Sequence, residues 1–175
     1  VTATVNSNFT FTYWSENTAV VATTPQYSFT VTANRLLVAN FAPDPTFLIT
    51  TYSLPAYGGT TNGGGSFFTG QTATVTATPN TGYDFTNWTE NGNVVSTEVN
   101  YSFTVTGARA LTANFVLLQY TVTTSPNPPA GGITNGDGTY SYGAQVTLNA
   151  TANTNWTFLN WTENGSVVSS LPEYV

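Results

Sequence analysis

Apolar and polar residues alternate along much of this chain. From Thr72 to Thr78, threonines alternate with Ala73, Val75 and Ala77, and from Tyr101 to Thr106 the apolar Tyr101, Phe103 and Val105 alternate with Ser102, Thr104 and Thr106. Successive side chains of a strand point to opposite faces, so a period of two predicts strands with one face inward. Leu111, Ala113 and Phe115 continue the same beat, and Leu37, Ala39 and Phe41 repeat it earlier in the chain. Tyr101, Phe103, Val105, Leu111, Ala113 and Phe115 are therefore expected to point into one core, with Trp88 packed against it. No stretch of comparable length has helical spacing.

Turn residues separate these runs. Asn91-Gly92 and Asn164-Gly165 carry the Asn-Gly pair that favours a type I′ hairpin turn. Gly58-Gly59 and Gly131-Gly132 mark another break. A further site holds Asn8, Gly82 and Asn155, the two residue types that accept positive φ most readily, which predicts a left-handed turn residue there.

The turns recur because the chain is a tandem repeat. Phe47 to Ser102 lies without gaps over Tyr120 to Val175, with FTNWTENGNVVS over FLNWTENGSVVS, and Trp88 recurs 73 residues on as Trp161. A third copy opens the chain, where VTATVNSNFTFTYWSEN matches VTATPNTGYDFTNWTEN and YSFTVTANRLLVANF matches YSFTVTGARALTANF. Three segments result: the C-terminal part of repeat 1 over 1–42, a complete repeat 2 over 47–116, and the N-terminal part of repeat 3 over 120–175. The third copy stops at Val175, where the YSFTVT strand begins in the others, and the first starts without its glycine-rich hairpin. Either this is a window of a longer array, or the ends are shaped to meet other subunits. Each unit is small enough for neighbours to complete its core.

The string NWTENGxVVS followed by YSFTVTxxRxLxANF resembles the divergent internalin-type B-repeat family, tandem modules of secreted and surface proteins of bacteria. The resemblance covers nearly the whole chain. It implies an all-β architecture of tandem small modules, β-grasp-like or immunoglobulin-like, two of the three incomplete here. It also implies use as a spacer, stalk or adhesion segment, on the cell surface or outside the cell. The family has no catalytic motif to carry over.

Composition narrows the chemistry. The chain has no Cys, His, Met or Lys, only two Arg, and a net charge of −6. At 6% charged residues it must be solvated by Thr, Ser, Asn and Gly, while 14% aromatic residues give it the means to bury a core. Without Cys or His there is no disulfide, no thiol nucleophile and no imidazole base or ligand. Two cations on an acidic chain are too few to neutralise phosphates, so nucleic acid is not an expected partner. No apolar run is long enough to span a membrane.

Four kinds of candidate site remain. Trp14, Trp88 and Trp161 share one repeat position and are either sugar-stacking platforms or core anchors. Trp156 aligns with Tyr83 and Phe9 and is less constrained. Glu16, Glu90 and Glu163 follow each tryptophan by two residues, and Arg35 and Arg109 recur in the closing segment, so each Glu is expected to pair with its repeat's Arg. Glycoside hydrolysis needs two convergent carboxylates, and Asp84 aligns with Thr10 and Thr157. No catalytic residue, cofactor or metal is therefore expected. Asn135-Gly136-Asp137-Gly138 aligns with Asn62-Gly63-Gly64-Gly65 and reads as a glycine-rich hairpin rather than a calcium loop. Seven Asn-x-Ser/Thr sequons, at Asn8, Asn87, Asn100, Asn149, Asn155, Asn160 and Asn164, are candidate N-glycosylation sites.

The sequence thus points to a structural or adhesive subunit of an extracellular stalk or filament, joined head to tail by strand addition between subunits. Its expected partners are copies of itself or neighbouring repeats, with glycans as a further candidate. The alternative is a carbohydrate-binding module of a secreted protein.

Overall fold

The computed structural model describes residues 1–175, and every regular element but one 3₁₀ turn is a strand. The first copy forms β1 (Phe9–Glu16), β2 (Ala19–Ala22) and β3 (Val38–Pro43), in sheet order β2-β1-β3. The middle copy forms β4 (Thr46–Leu54), β5 (Gly59–Asn62), β6 (Gly65–Phe68), β7 (Thr72–Pro79), β8 (Tyr83–Glu90), β9 (Asn93–Ser96), β10 (Asn100–Thr104) and β11 (Arg109–Leu117). These make a five-stranded sheet, β6-β4-β11-β8-β9, and a three-stranded sheet, β10-β7-β5. The last copy forms β12 (Gln119–Val122), β13 (Gly132–Asn135), β14 (Gly138–Ser141), β15 (Leu148–Ala152), β16 (Trp161–Glu163), β17 (Ser166–Ser169) and β18 (Glu173–Tyr174). Its sheets are β12-β14, β13-β15-β18 and β16-β17.

The hairpins are made where the turn residues sit. Asn91 and Gly92 have φ of 50° and 81°, Asn164 and Gly165 51° and 82°, and the first copy reaches the same turn with Asn17 at 48° and Thr18 at 71°. Asn8, Gly82 and Asn155 are left-handed at 68°, 82° and 68°, as their residue types predict. A β-bulge follows each repeat tryptophan, at Trp14/Ser15, Trp88/Thr89 and Trp161/Thr162. Bulges bend a strand and re-aim its side chains, so this one belongs to the repeat itself.

By compactness the chain divides into two units, and the division runs through strands of the middle copy. One unit holds Val1–Tyr52, Thr61–Ala77 and Asn87–Ala113; the other holds Ser53–Thr60, Thr78–Thr86 and Asn114–Val175. In the first unit the core is Ile49, Ala73, Val75, Ala77, Trp88, Val105, Leu111 and Ala113, every one of them buried, with Phe11 and Trp14 from the first copy. The alternating apolar positions of β7 and β11 are the inward ones, as period two requires. In the second unit Phe115 and Trp161 are buried.

Two residues expected in the core are only half buried. Tyr101 and Phe103 pair across β7 with Val75 and Ala73, but their rings carry the Arg109 guanidinium, 5.5 and 4.3 Å from its central carbon. They form a rim over the core, where a cation that stays partly hydrated can sit.

Candidate functional site

The candidate site is the place of the closing strand. In the middle copy that strand, β11, lies between β4 and β8, bonded to both. Leu111 and Ala113 are fully buried and Phe115 nearly so. Gly58 and Gly59 leave the space for Phe115. A Cβ on either would lie 2.7 or 2.4 Å from its side-chain atoms, closer than carbon atoms approach. Phe85 meets the same ring edge-on, with centroids 6.0 Å apart.

Arg109 clasps the start of this strand. Its Nε donates to Oε1 of Glu90 at 3.0 Å and its Nη2 to Oε2 at 2.7 Å, while Nη1 donates to the Tyr101 hydroxyl at 3.2 Å. The planar guanidinium suits this geometry because it presents parallel donors to a carboxylate and a flat face to a ring. Hydrogen bonding to Arg109 holds the Glu90 carboxyl below the usual carboxylate range, against an opposing effect of burial. The same bonds raise the Arg109 pKa further. Both groups are therefore charged at neutral pH.

The first copy repeats the clasp with Arg35. Nε and Nη2 donate to Glu16 at 3.0 and 2.6 Å, and the guanidinium carbon lies 4.3 Å from the Phe29 ring centroid. Glu16 is likewise held below the usual range, chiefly by its hydrogen bonds to Arg35. What differs is the cover over the segment. Val31 is 75% exposed where Val105 is fully buried, and Phe41 is 41% exposed against 6% for Phe115. Strand β3 pairs with β1 on one side and with nothing on the other. The residues before it meet the chain start through the bridge from Thr2 to Gln26 and main-chain bonds joining Val1 to Tyr27 and Ala3 to Pro25.

In the last copy the order is reversed: the strands that flank a closing strand are present. β12 pairs only with β14, and β16 only with β17, so each keeps an unpaired edge. A cavity of about 1150 Å³ opens there, lined by Val122, Leu148, Ala150, Phe158, Trp161 and Tyr174 among others. Of the corresponding residues of the middle copy, Ile49, Val75, Ala77 and Trp88 are buried, and Phe85 and Tyr101 are half buried. Glu163 lines the same slot and carries no ion pair.

The remaining sequence candidates fall as follows. Trp14, Trp88 and Trp161 are 7%, 0% and 9% exposed. Each indole N–H donates to a main-chain carbonyl eleven residues on, that of Pro25, Val99 or Pro172. Trp156, at 47% exposure, lies against Gly131. Of the sequon residues, Asn8 and Asn87 are half buried, whereas Asn100, Asn149, Asn155, Asn160 and Asn164 are exposed. Asp137 accepts bonds from the Thr124 amide and hydroxyl. No three acidic side chains converge on a point that could hold a metal ion, and no helix is long and apolar enough to cross a membrane. The rings beneath the arginines and the carbonyls that take the indole protons were not anticipated. The recurrent FTVTxxR spacing and the prolines at 25 and 172 are the sequence signals for them.

A clasp and a closing strand recur in two of the three copies, and each sheet is built from strands of one copy, as in a tandem-module protein. The chain belongs to the family of divergent InlB B-repeat domains, which matches residues 1–45, 49–118 and 120–174. It matches no curated protein and no solved structure. The family is a structural, non-enzymatic kind of repeat and suggests a surface protein.

Proposed function

We propose that this chain is a structural subunit of an extracellular filament or stalk, in which the closing segment Tyr27–Phe41 of one copy fills the slot of the last repeat of another. The observation that carries this reading is the fit between the unpaired edges in the last copy and a strand of the first. The last copy has edges and a cavity for a strand bearing Leu, Ala and Phe in alternation, and the first copy carries such a strand with one edge unpaired. Once the segment has left β1 and Glu16 of its own copy, strand addition supplies main-chain hydrogen bonds along both edges of the slot and places alternate side chains in the core. Each large apolar side chain so covered contributes about 1.5–3 kcal/mol. Arg35 arrives beside Glu163 as Arg109 stands beside Glu90. Such a contact is heterologous and propagates as a fibre where the rotation does not close.

Excess synthetic Tyr27–Phe41 peptide provides the test, with particle length followed by sedimentation and electron microscopy. Peptide-capped, shortened particles support the reading. A solitary chain at all concentrations, or fibres indifferent to peptide, count against it. Extending the chain past Val175 by a segment copied from residues 103–115 should also abolish assembly, since the slot is then filled in cis.

N-linked glycans on some of the seven sequons belong to the same reading, because sugars supply the solvation that charged side chains usually give. Intact mass of native material reads this directly, and a mass of 18.6 kDa removes it. A glycan on Asn160, which lines the slot, competes with the strand. Sugar binding by the protein would rest on Trp156 rather than on the three buried indoles, and oligosaccharide titration of Trp156→Ala against the parent chain separates the two.

A further inference from the structure

The junctions between successive copies are built alike. At the first, the Asp44 amide donates to the carbonyl of left-handed Asn8, and the Thr69 amide donates to the Pro45 carbonyl. At the second, the Leu118 amide donates to the carbonyl of left-handed Gly82, and the Tyr142 amide donates to the Leu118 carbonyl. Asn8 and Gly82 hold one repeat position, and Thr69 and Tyr142 hold another. The two bonds recur, shared by Asp44 and Pro45 at the first junction and both made by Leu118 at the second; the side chains at Asn8/Gly82 and Thr69/Tyr142 differ.

Their difference is one of size. The Tyr142 ring lies against Gly82 so closely that a Cβ there would fall 2.2 to 2.8 Å from three ring atoms. Glycine at this position is thus required by the neighbouring repeat as well as by its φ of 82°. At the first junction the same two repeat positions hold a full asparagine side chain, Asn8, and the shorter Thr69.

We infer that these two positions form a size-matched pair that decides which repeat can follow which: Gly accepts an aromatic residue from the next copy, and Asn accepts only a small one. Asn155 holds this position in the last copy, with φ of 68°. The face it presents therefore fits a further B-repeat whose residue equivalent to Thr69 is small, and excludes one carrying tyrosine there. This rule concerns the order of repeats and stands apart from the strand-addition reading.

Gly82→Asn, Tyr142→Thr and the double variant, each in the full chain, test it. Asparagine accepts positive φ more readily than other residues with a side chain, so Gly82→Asn examines the clash rather than the backbone. Melting of the single variant should fall by about 5 °C or more, as overpacking predicts, and exchange of the Leu118 amide should quicken. The double variant, which carries the residue pair of the first junction, should recover most of both. Tyr142→Thr alone should cost less than Gly82→Asn. Unchanged melting and Leu118 exchange in Gly82→Asn, or a double variant no better than that single one, overturns the pairing.

Discussion

Val105 and Val31 occupy the same place in two copies of one repeat, yet the first is fully buried and the second is three-quarters exposed. Their local sequences, YSFTVTGAR and YSFTVTANR, are nearly identical, and both segments carry the same arginine clasp. The difference lies in what packs over them. In the middle copy, Ile49 of β4 and Ala73, Val75 and Ala77 of β7 are core residues; in the first copy the short run Val1–Ala3 pairs with Pro25–Tyr27, and no strand corresponds to β4. The clasp thus forms locally, without a finished core. Burial of the closing strand is a property of the completed module.

This contrast should appear most strongly on charging the two valines. Val105→Asp places an unpaired carboxylate in the middle core and should destabilise it by about 3 kcal/mol or more, enough to unfold it. Val31→Asp should leave chemical denaturation of the isolated chain within about 0.5 kcal/mol of the parent. Equal effects would mean that the two segments share one environment.

The tryptophans give the next largest difference. Trp88→Ala should cost about 3–5 kcal/mol, because the surrounding strands cannot close the space left behind. Trp161→Ala should cost about half of that or less, since no strand covers the slot beside it. Denaturation followed by circular dichroism reads both.

A smaller effect separates the clasped glutamates from the free one. Glu90 has a folded-state pKa below its unfolded value, so the pair stabilises the chain above the usual carboxylate range, and that contribution is lost as pH falls through the lowered value. Glu90→Gln should remove about 1 kcal/mol or less at neutral pH and flatten the acid side of the stability profile. Glu163→Gln should leave stability at neutral pH unchanged in the isolated chain.

Smallest of all is the hairpin of the first copy. Thr18 is β-branched and sits at φ 71°, where the other copies have glycine. Thr18→Gly relieves this strain but frees the unfolded chain, for a net gain of about 0.5 kcal/mol in the first module. Reduced stability would show that the threonine makes a contact worth more than its strain.

Much of the fold was legible in the chain before any coordinates. Strand positions follow from threonine alternating with Ala73, Val75 and Ala77, and the left-handed turns from Asn8, Gly82 and Asn155. The Glu–Arg pairs are legible because so few other charges exist. Less visible is everything that depends on strands meeting from distant segments. The half-burial of Tyr101 and Phe103 reflects a guanidinium that lies over them only once β10 and β11 are placed. The Gly82–Tyr142 contact joins residues of two copies, and no periodicity within one copy reports it. The glycines at 58 and 59 read as a chain break, yet they also make room for Phe115.

Amide hydrogen exchange of the full chain, with and without excess Tyr27–Phe41 peptide, tests most directly that the last copy holds a strand-shaped slot. Slowed exchange is expected along both β12 and β16, the two edges that flank the slot, and a peptide with Asp in place of Leu37 should have little effect. Unaltered exchange on both strands at saturating peptide would contradict it.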